Sequence, residues 1–197
     1  MKIRVNGEEL TVDNVKTFGD LLGKVRENKE NWVVKKIVIN GEECSLSRLE
    51  ELKQMELTED MMIELELSSL KDFLLETIKE VLRYIKRVEP LLKGVADVVV
   101  AGTAEGYRSI NDLAEGLNAM ENVRMNTIKI TGINSKELGL KVEEEKVVHI
   151  LTDFVNALQN KDLVKIADLI DGDLRDVFAY YEEFFKKIQT LLENNPS

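Results

Sequence analysis

The sequence contains few of the residues that build metal, redox and disulfide sites. Its 197 residues include one cysteine, one histidine and two prolines. A lone cysteine, Cys44, cannot form an internal disulfide. Such low cysteine content is expected of a protein in the reducing cytoplasm. With His149 as the single histidine, a multi-histidine metal site is excluded, and the ligands of a structural zinc site are lacking. We therefore expect no metal and no cofactor.

Long apolar runs are also missing. The most apolar short run, residues 95–102, contains Asp97, whereas about 20 apolar residues are needed to span a bilayer. The first residues, Met1 to Asn6, reach a turn without the apolar stretch of a signal peptide. We expect a soluble, cytoplasmic protein with no membrane partner.

Negative charge exceeds positive charge throughout the chain. The formal net charge is −10, and residues 1–67 carry 10 basic and 15 acidic side chains, half of that excess. Neither part of the chain is therefore a basic platform, and a net negative charge repels phosphate backbones at long range. No nucleic-acid partner is expected.

The sequence contains no recognisable catalytic motif. Gly102–Ser109 has two glycines but lacks the spacing and the Gly-Lys pair of a phosphate-binding loop. Four aspartates surround Gly172 without the order of an EF-hand calcium loop. A di-iron bundle needs Glu-x-x-His pairs, but Lys146 stands three residues before His149. We expect no catalytic residues and no enzymatic activity.

The first third of the chain contains a strand–turn unit twice. Lys2–Glu9 reads KIRVNGEE and Lys36–Glu43 reads KIVINGEE. The Asn-Gly pair favours positive φ at both central positions of a type I′ turn, so each segment is predicted to begin a β-hairpin.

Helix signals lie between and after the two hairpins. Thr17 and Asp20 have capping-box spacing, and apolar residues then follow at i, i+3, i+4 and i+7. Ser47 and Glu50 have the same spacing before a second, short helix. Alternating apolar and acidic residues over residues 63–67 predict a half-buried final strand.

The resulting order is strand, strand, helix, strand, short strand, short helix, strand. In this order residues 1–67 resemble the β-grasp (ubiquitin-like) fold. Leu57–Leu65, which reads LTEDMMIEL, is similar to the turn into the last strand of sulfur-carrier and TGS-type β-grasp domains. Carriers of that fold end in a Gly-Gly tail, but here Ser68, Ser69 and 128 further residues follow. The resemblance therefore implies the fold and argues against a carrier role.

The remaining chain, residues 68–197, is predicted to be helical. Ser69 and Asp72 mark a helix start, and apolar residues then recur at four- and three-residue steps, at Leu74, Ile78, Val81, Ile85, Val88, Leu92, Val95 and Val99. Pro90 interrupts this stripe and either kinks the helix or begins a new one; we favour a kink. The stripe is also a candidate surface for self-assembly into a homo-oligomer.

Three more helices are predicted, from Ala104 to about Lys129, after residues 143–145, and from Leu163 to about Leu192 with a bend near Gly172. Asn160, Lys161 and Asp162 are interpreted as the stop of the third helix and a new N-cap for the fourth. Thr131–Lys141 is interpreted as a linker. Gly102 and Gly106 either form the loop before the second helix or permit close backbone approach; we favour the loop. The fold class is α+β, a β-grasp domain of residues 1–67 followed by an antiparallel four-helix bundle of residues 68–197.

Three residues are candidate contacts for a partner protein. Aromatic residues occupy two adjacent faces of the last helix, so Tyr180 and Phe185 belong either to a wide core or to a groove for a partner's helix. Met125 has a flexible side chain that suits a core or an adaptable surface.

The predicted two-domain architecture, together with the lack of a recognisable catalytic motif, favours a non-enzymatic protein–protein interaction module. Such a module would serve as an adaptor, chaperone-like factor or assembly component. The alternative is a small-ligand binder or enzyme that uses carboxylates in a cleft between the two domains.

Overall fold

The computed structural model describes residues 1–27 and 31–194. The chain is α+β, with a mixed sheet near its start and helices after it. It divides into two compact units, Met1–Phe73 and Leu74–Ser197, each with its own apolar core. In the described ranges, no helix is long and apolar enough to cross a membrane.

The first unit contains five strands and two α-helices in its described residues: β1 (Lys2–Val5), β2 (Glu8–Leu10), α1 (Phe18–Arg26), β3 (Trp32–Ile39), β4 (Glu42–Cys44), α2 (Leu49–Leu52) and β5 (Met62–Ser69). The sheet order is β2-β1-β5-β3-β4, so the last strand lies at its centre. β5 pairs parallel with β1 and antiparallel with β3. The two predicted hairpins, β1–β2 and β3–β4, are confirmed.

Both Asn-Gly turns also bind the central strand. Asn6 and Asn40 have φ of 53° and 52°, and the following glycines are also positive, as predicted. The Asn6 amide group pairs with the backbone of Leu67, accepting from its N–H at 2.7 Å and donating to its carbonyl at 3.1 Å. At the other end of β5, Met62 donates its N–H to the Asn40 side chain at 2.9 Å. β5 is therefore held at both ends by asparagine side chains.

One face of the sheet packs against α1 and forms the first core. The helix contributes Phe18, Leu21, Leu22 and Val25, as its spacing predicts, and the Thr17–Asp20 capping box is confirmed. A β-bulge between Val34 and Lys36 lets Val34 and Ile37, three residues apart, both face inward. Ile63, Leu65 and Leu67 of β5 are buried beside them.

The alternate residues of the strands carry a ladder of ion pairs across the whole sheet. It consists of Lys2–Glu9 at 2.6 Å, Arg4–Glu64 at 3.3 Å, Lys35–Glu66 at 3.7 Å and Lys36–Glu43 at 2.9 Å. Exposed ion pairs of this kind add little to stability, so they favour this strand register more than they stabilise the fold.

The predicted Ser47–Glu50 capping box is wrong. A 3-10 turn over Leu46–Arg48 precedes α2, and Ser45 is its N-cap, with its hydroxyl accepting from the Ser47 N–H at 3.4 Å. Ser47 therefore lies inside the turn and cannot cap α2, which begins without a side-chain cap.

The helices after the sheet are α3 (Leu70–Val88), α4 (Leu92–Val100), α5 (Ala104–Thr131), α6 (Glu144–Gln159), α7 (Leu163–Asp171) and α8 (Leu174–Asn194). Ser69 caps α3, since its hydroxyl accepts from the Asp72 N–H at 3.0 Å. Asp162 caps α7 in the same way through Lys165. Both helix starts follow the sequence signals.

The prediction of four helices is not confirmed, because two of them are divided. Glu89–Leu91 forms a 3-10 turn, since Pro90 lacks the N–H that a continuous α-helix would use there. The last predicted helix stops at Asp171 and restarts at Leu174, and Gly172, at φ −109° and ψ −90°, leaves helical geometry. The apolar stripe of α3 and α4 is mostly buried within the helical unit.

The two glycines before α5 have different roles. Gly102 lies in the loop with a positive φ of 64°, as we favoured. Gly106 instead lies in the first turn of α5, where an added Cβ would be 2.5 Å from the Val98 carbonyl oxygen. Its missing side chain allows α4 and α5 to approach closely, which was the alternative interpretation.

We expect Asn6→Gly to lower the free energy of unfolding by about 1–3 kcal/mol, because glycine keeps the positive φ but loses both bonds to Leu67. The matched control is Asn14→Gly, since Asn14 also has a positive φ of 60° but is exposed. Urea unfolding measures both variants. Equal effects in the two would contradict a role for the Asn6 side chain.

A second pair of variants tests the close helix approach. We expect Gly106→Ala to destabilise the protein by about 1–3 kcal/mol, because the backbones of α4 and α5 must separate. Gly94→Ala, in α4 and with open space around the glycine, should stabilise the protein by about 0.5–1 kcal/mol through helix propensity. Thermal unfolding of the two variants should therefore shift in opposite directions, and shifts of the same sign would refute the argument.

Candidate functional site

The structure separates the three predicted partner contacts. Tyr180 and Phe185 are 1% and 0% exposed, so both lie in the core and are not accessible to a partner. The wide-core explanation applies, because α8 is buried on a broad face and its aromatic rings stack in pairs, Tyr180 on Phe184 and Tyr181 on Phe185. Met125 is 54% exposed and remains a candidate.

The segment between α5 and α6, interpreted from sequence as a linker, is ordered by local hydrogen bonds. We call residues 132–143 the strap. It begins at Gly132, with φ +72°, and contains a 3-10 turn over Ser135–Leu138. Asn134 and Glu137 form a capping box at this turn, and Gly139, with φ +56°, reverses the chain after it.

The strap is bonded to one face of α8 at three positions. Tyr180 donates its hydroxyl to Ser135 at 2.9 Å. Glu183, one turn later, accepts the Lys141 backbone N–H at 2.9 Å. Lys187 donates its ammonium to the carbonyl oxygens of Leu138 and Gly139 at 2.8 and 2.9 Å. These α8 residues share a face because they are spaced at i, i+3 and i+7.

A buried arginine links the strap to the rest of the helical unit. Arg124 of α5 is 6% exposed and binds both carboxylate oxygens of Glu121 at 2.8 Å. Its other terminal nitrogen donates to the Ser135 hydroxyl at 3.0 Å and pairs with Glu144 of α6 at 3.0 Å. The guanidinium is thus balanced by two carboxylates on two helices.

Tyr180 and Tyr181 complete this cluster, in which burial and hydrogen bonds shift the pKa values of the side chains. Burial would raise the pKa of Glu121, but hydrogen bonds from Arg124 and Tyr181 outweigh it and hold that pKa below its usual value. Burial raises the pKa of Tyr181, whose hydroxyl donates to Glu121 at 2.8 Å. The cluster therefore favours charged carboxylates and neutral phenols. Outside the cluster, the backbone N–H of Lys141 lowers the pKa of Glu183.

A groove of about 730 Å³ lies between the strap and α8. Its apolar wall comes from Leu138, Val142, Ala179 and Leu191, while Lys141 and the Glu182–Lys186 pair are among the charged residues that line it. A smaller hollow of about 260 Å³ is lined by Ser135, Leu140 and Tyr180. Val142 lines both cavities, so they flank the same segment of the strap.

Other sequence candidates form no site. His149 is exposed, with its ring nitrogen 3.8 Å from Asp153 on the same helix. Among residues 1–27 and 31–194, no group of three or more histidine, cysteine, aspartate or glutamate residues is placed to hold a metal ion.

Sequence reasoning missed the strap and the Arg124 cluster. One signal was available for Arg124, because it follows Ile110, Leu113, Leu117 and Met120 in the apolar seam of α5. A charged residue in such a seam needs a partner inside the fold. The strap had no periodic signal, since its position depends on bonds to α8, more than 40 residues away in sequence.

Comparison with known families finds a match in each part of the chain. Residues 76–184 match the family described as a domain of unknown function (DUF8042). Residues 1–69 match the domain described as the TP0873 N-terminal domain. No curated protein and no solved structure matches the chain.

The Arg124 cluster predicts a pH dependence of stability. Because the pKa of Glu121 is lower in the folded than in the unfolded protein, its contribution to stability is complete above the unfolded pKa and is lost as the pH falls through the folded pKa. We expect Glu121→Gln to lower the melting temperature at pH 7 and to differ less from wild type near pH 3. Calorimetry from pH 3 to 8 measures this, with the exposed Glu115→Gln as control. A difference that grows on acidification would contradict the assignment.

Proposed function

Since the chain belongs to the DUF8042 family, whose description assigns no activity, we propose from its geometry that it is a non-enzymatic protein–protein interaction module. It serves as an adaptor, chaperone-like factor or assembly component, and its partner is a protein. The groove between the strap and α8 receives an amphipathic helix of that partner. The groove is the single observation that carries this proposal.

The dimensions and lining of the groove support a helix as its occupant. The α8 residues that line it run from Ala179 to Leu191, a length of about 18 Å, or a little over three helical turns. Apolar side chains along the groove suit the i, i+3/i+4 and i+7 anchors of an amphipathic helix. Charges of both signs at its edges suit the polar flanks of such a helix.

The same features disfavour the small-ligand alternative for this groove. Sites for small molecules are concave and bury most of the ligand surface. This groove is open along α8, so a small molecule would leave much of its surface in water. The acidic residues of the groove need no ligand to explain their presence, because Glu182 and Glu183 are paired with Lys186 and Lys187.

The sheet supports assignment of the first unit to the β-grasp (ubiquitin-like) fold. Its strand order is β2-β1-β5-β3-β4, β1 and β5 are parallel, and α1 covers one face, in keeping with the order of elements on which the resemblance rests. The other face carries the ion-pair ladder.

The protein acts in the cytoplasm, in keeping with its single cysteine.

Met125 is a further partner contact outside the groove. Its thioether sulfur lies 3.5 Å from an Arg124 nitrogen, and the side chain is more than half exposed. An exposed, flexible methionine adapts to different apolar partners.

We expect Ala179→Arg to abolish partner retention, because a long charged side chain fills the groove without removing a bond to the strap. The matched control is Ala119→Arg, at an exposed position of α5 that does not line the groove. Each variant is immobilised and exposed to extract of the native cell, and retained proteins are quantified by mass spectrometry. Ala119→Arg should retain the wild-type set, and Ala179→Arg should lose it by about tenfold or more.

Two results would refute the proposal. The first is equal retention by the two variants, which would place binding elsewhere. The second is a wild-type protein that retains no macromolecule but turns over a small substrate. A photoreactive side chain at position 190, also in the groove, identifies the retained protein that contacts it directly.

A further inference from the structure

The charged side chains that line the groove are balanced, although the chain as a whole is acidic. The chain has 37 acidic and 27 basic residues. The groove is lined by three of each kind, namely Glu137, Glu182, Glu183, Lys141, Lys186 and Lys187. The walls of the groove therefore add nothing to the repulsion that the net charge of the chain exerts on an acidic partner.

Five of these six charged side chains have bonding partners within the chain. Glu182 pairs with Lys186 at 2.6 Å. Glu183 pairs with Lys187 at 3.1 Å. Glu137 accepts a hydrogen bond in the capping box of the strap, at 3.1 Å from its donor nitrogen. These five side chains are bonded before any partner arrives.

The ammonium group of Lys141 is the exception. In the described part of the chain it forms neither an ion pair nor a hydrogen bond. Its charge acts on Glu183 only at longer range, and the pKa of that carboxyl is lowered mainly by the backbone N–H of Lys141. The residue is exposed, while this N–H, bonded to Glu183 at 2.9 Å, fixes its backbone. Lys141 therefore presents an unpaired cation from a fixed point of the groove wall.

The bond to Glu183 also defines where this cation lies along the groove. Glu183 comes one helical turn after Ala179 and about two turns before Leu191, which are the apolar residues at the two ends of the α8 wall. A helix laid along α8 would bring one position of its polar flank next to Lys141. That position lies about one turn from the side chain that covers Ala179.

We infer that the helix received by the groove carries an aspartate or glutamate at this flank position, where its carboxylate pairs with Lys141. The inference rests on the proposed function and specifies the chemistry of the partner, an amphipathic helix with apolar residues towards α8 and an acidic residue towards the strap. An ion pair at the rim of an interface affects the choice of partner more than the total affinity.

The charge of Lys141 can be changed without removing its bond to α8, because Glu183 is bound by the backbone N–H and not by the ammonium group. Lys141→Gln removes the charge, and Lys141→Glu reverses it. The matched control is Lys93→Glu, at an exposed position of α4 that does not line the groove. It changes the net charge of the chain by the same amount as Lys141→Glu.

The probe is a displayed library of helical peptides, with apolar residues fixed at i, i+3/i+4 and i+7 and the other positions randomised. It is selected separately on each full-length variant. Peptides that bind wild type but not Ala179→Arg should be enriched about threefold or more in acidic residues at one flank position. Lys141→Gln should abolish this enrichment, Lys141→Glu should replace it with lysine or arginine, and Lys93→Glu should leave it unchanged.

The outcomes distinguish this inference from the proposed function. If no selected peptide depends on Ala179, the groove does not receive a helix, and both fail. If peptides that depend on Ala179 show no acidic preference, or keep it on Lys141→Glu, the groove binds helices without selecting their charge, and this inference alone is overturned. Equal loss of the preference in Lys93→Glu would assign it to the overall charge of the chain and would also overturn the inference.

Discussion

A guanidinium group removed from water must have its charge balanced and its donors bonded, and the arrangement of the helical unit depends on how Arg124 meets these conditions. Its partners lie on α5, α6 and the strap, and Ser135 extends the network to Tyr180 of α8. A shift of any one segment would leave a buried charge or donor without its partner. The cluster therefore specifies the relative positions of these segments more strictly than apolar contacts alone.

The groove exists because α8 is covered unevenly. Its aromatic face is buried on two sides, with Tyr180, Tyr181, Phe184 and Phe185 packed as stacked and edge-to-face pairs. Along Ala179–Leu191, however, the neighbouring surface is the strap rather than a helix. An irregular segment cannot fill the space beside a helix as closely as another helix can, and the space that remains is the groove.

The first unit is organised around β5 and offers little surface for strand addition. Both edge strands, β2 and β4, have three residues, and short edges provide few unpaired backbone groups to a partner strand. The repeated Lys-Ile-x-x-Asn-Gly unit closes two hairpins and supplies the side chains that hold β5 at its two ends.

The sequence alone determined the features that depend on local chemistry: the Asn-Gly hairpins, the α1 capping box and core stripe, the helix starts at Ser69 and Asp162, and the α+β class. Local signals also marked Pro90 and Gly172 as interruptions, but whether a helix bends or divides there depends on its packing partners. Only the tertiary structure decided that Tyr180 and Phe185 are buried, that Gly106 allows close contact with Val98, and that the strap lies on α8. Each of these outcomes rests on contacts between segments distant in sequence, and spacing along one segment carries no information about which distant surface will meet it.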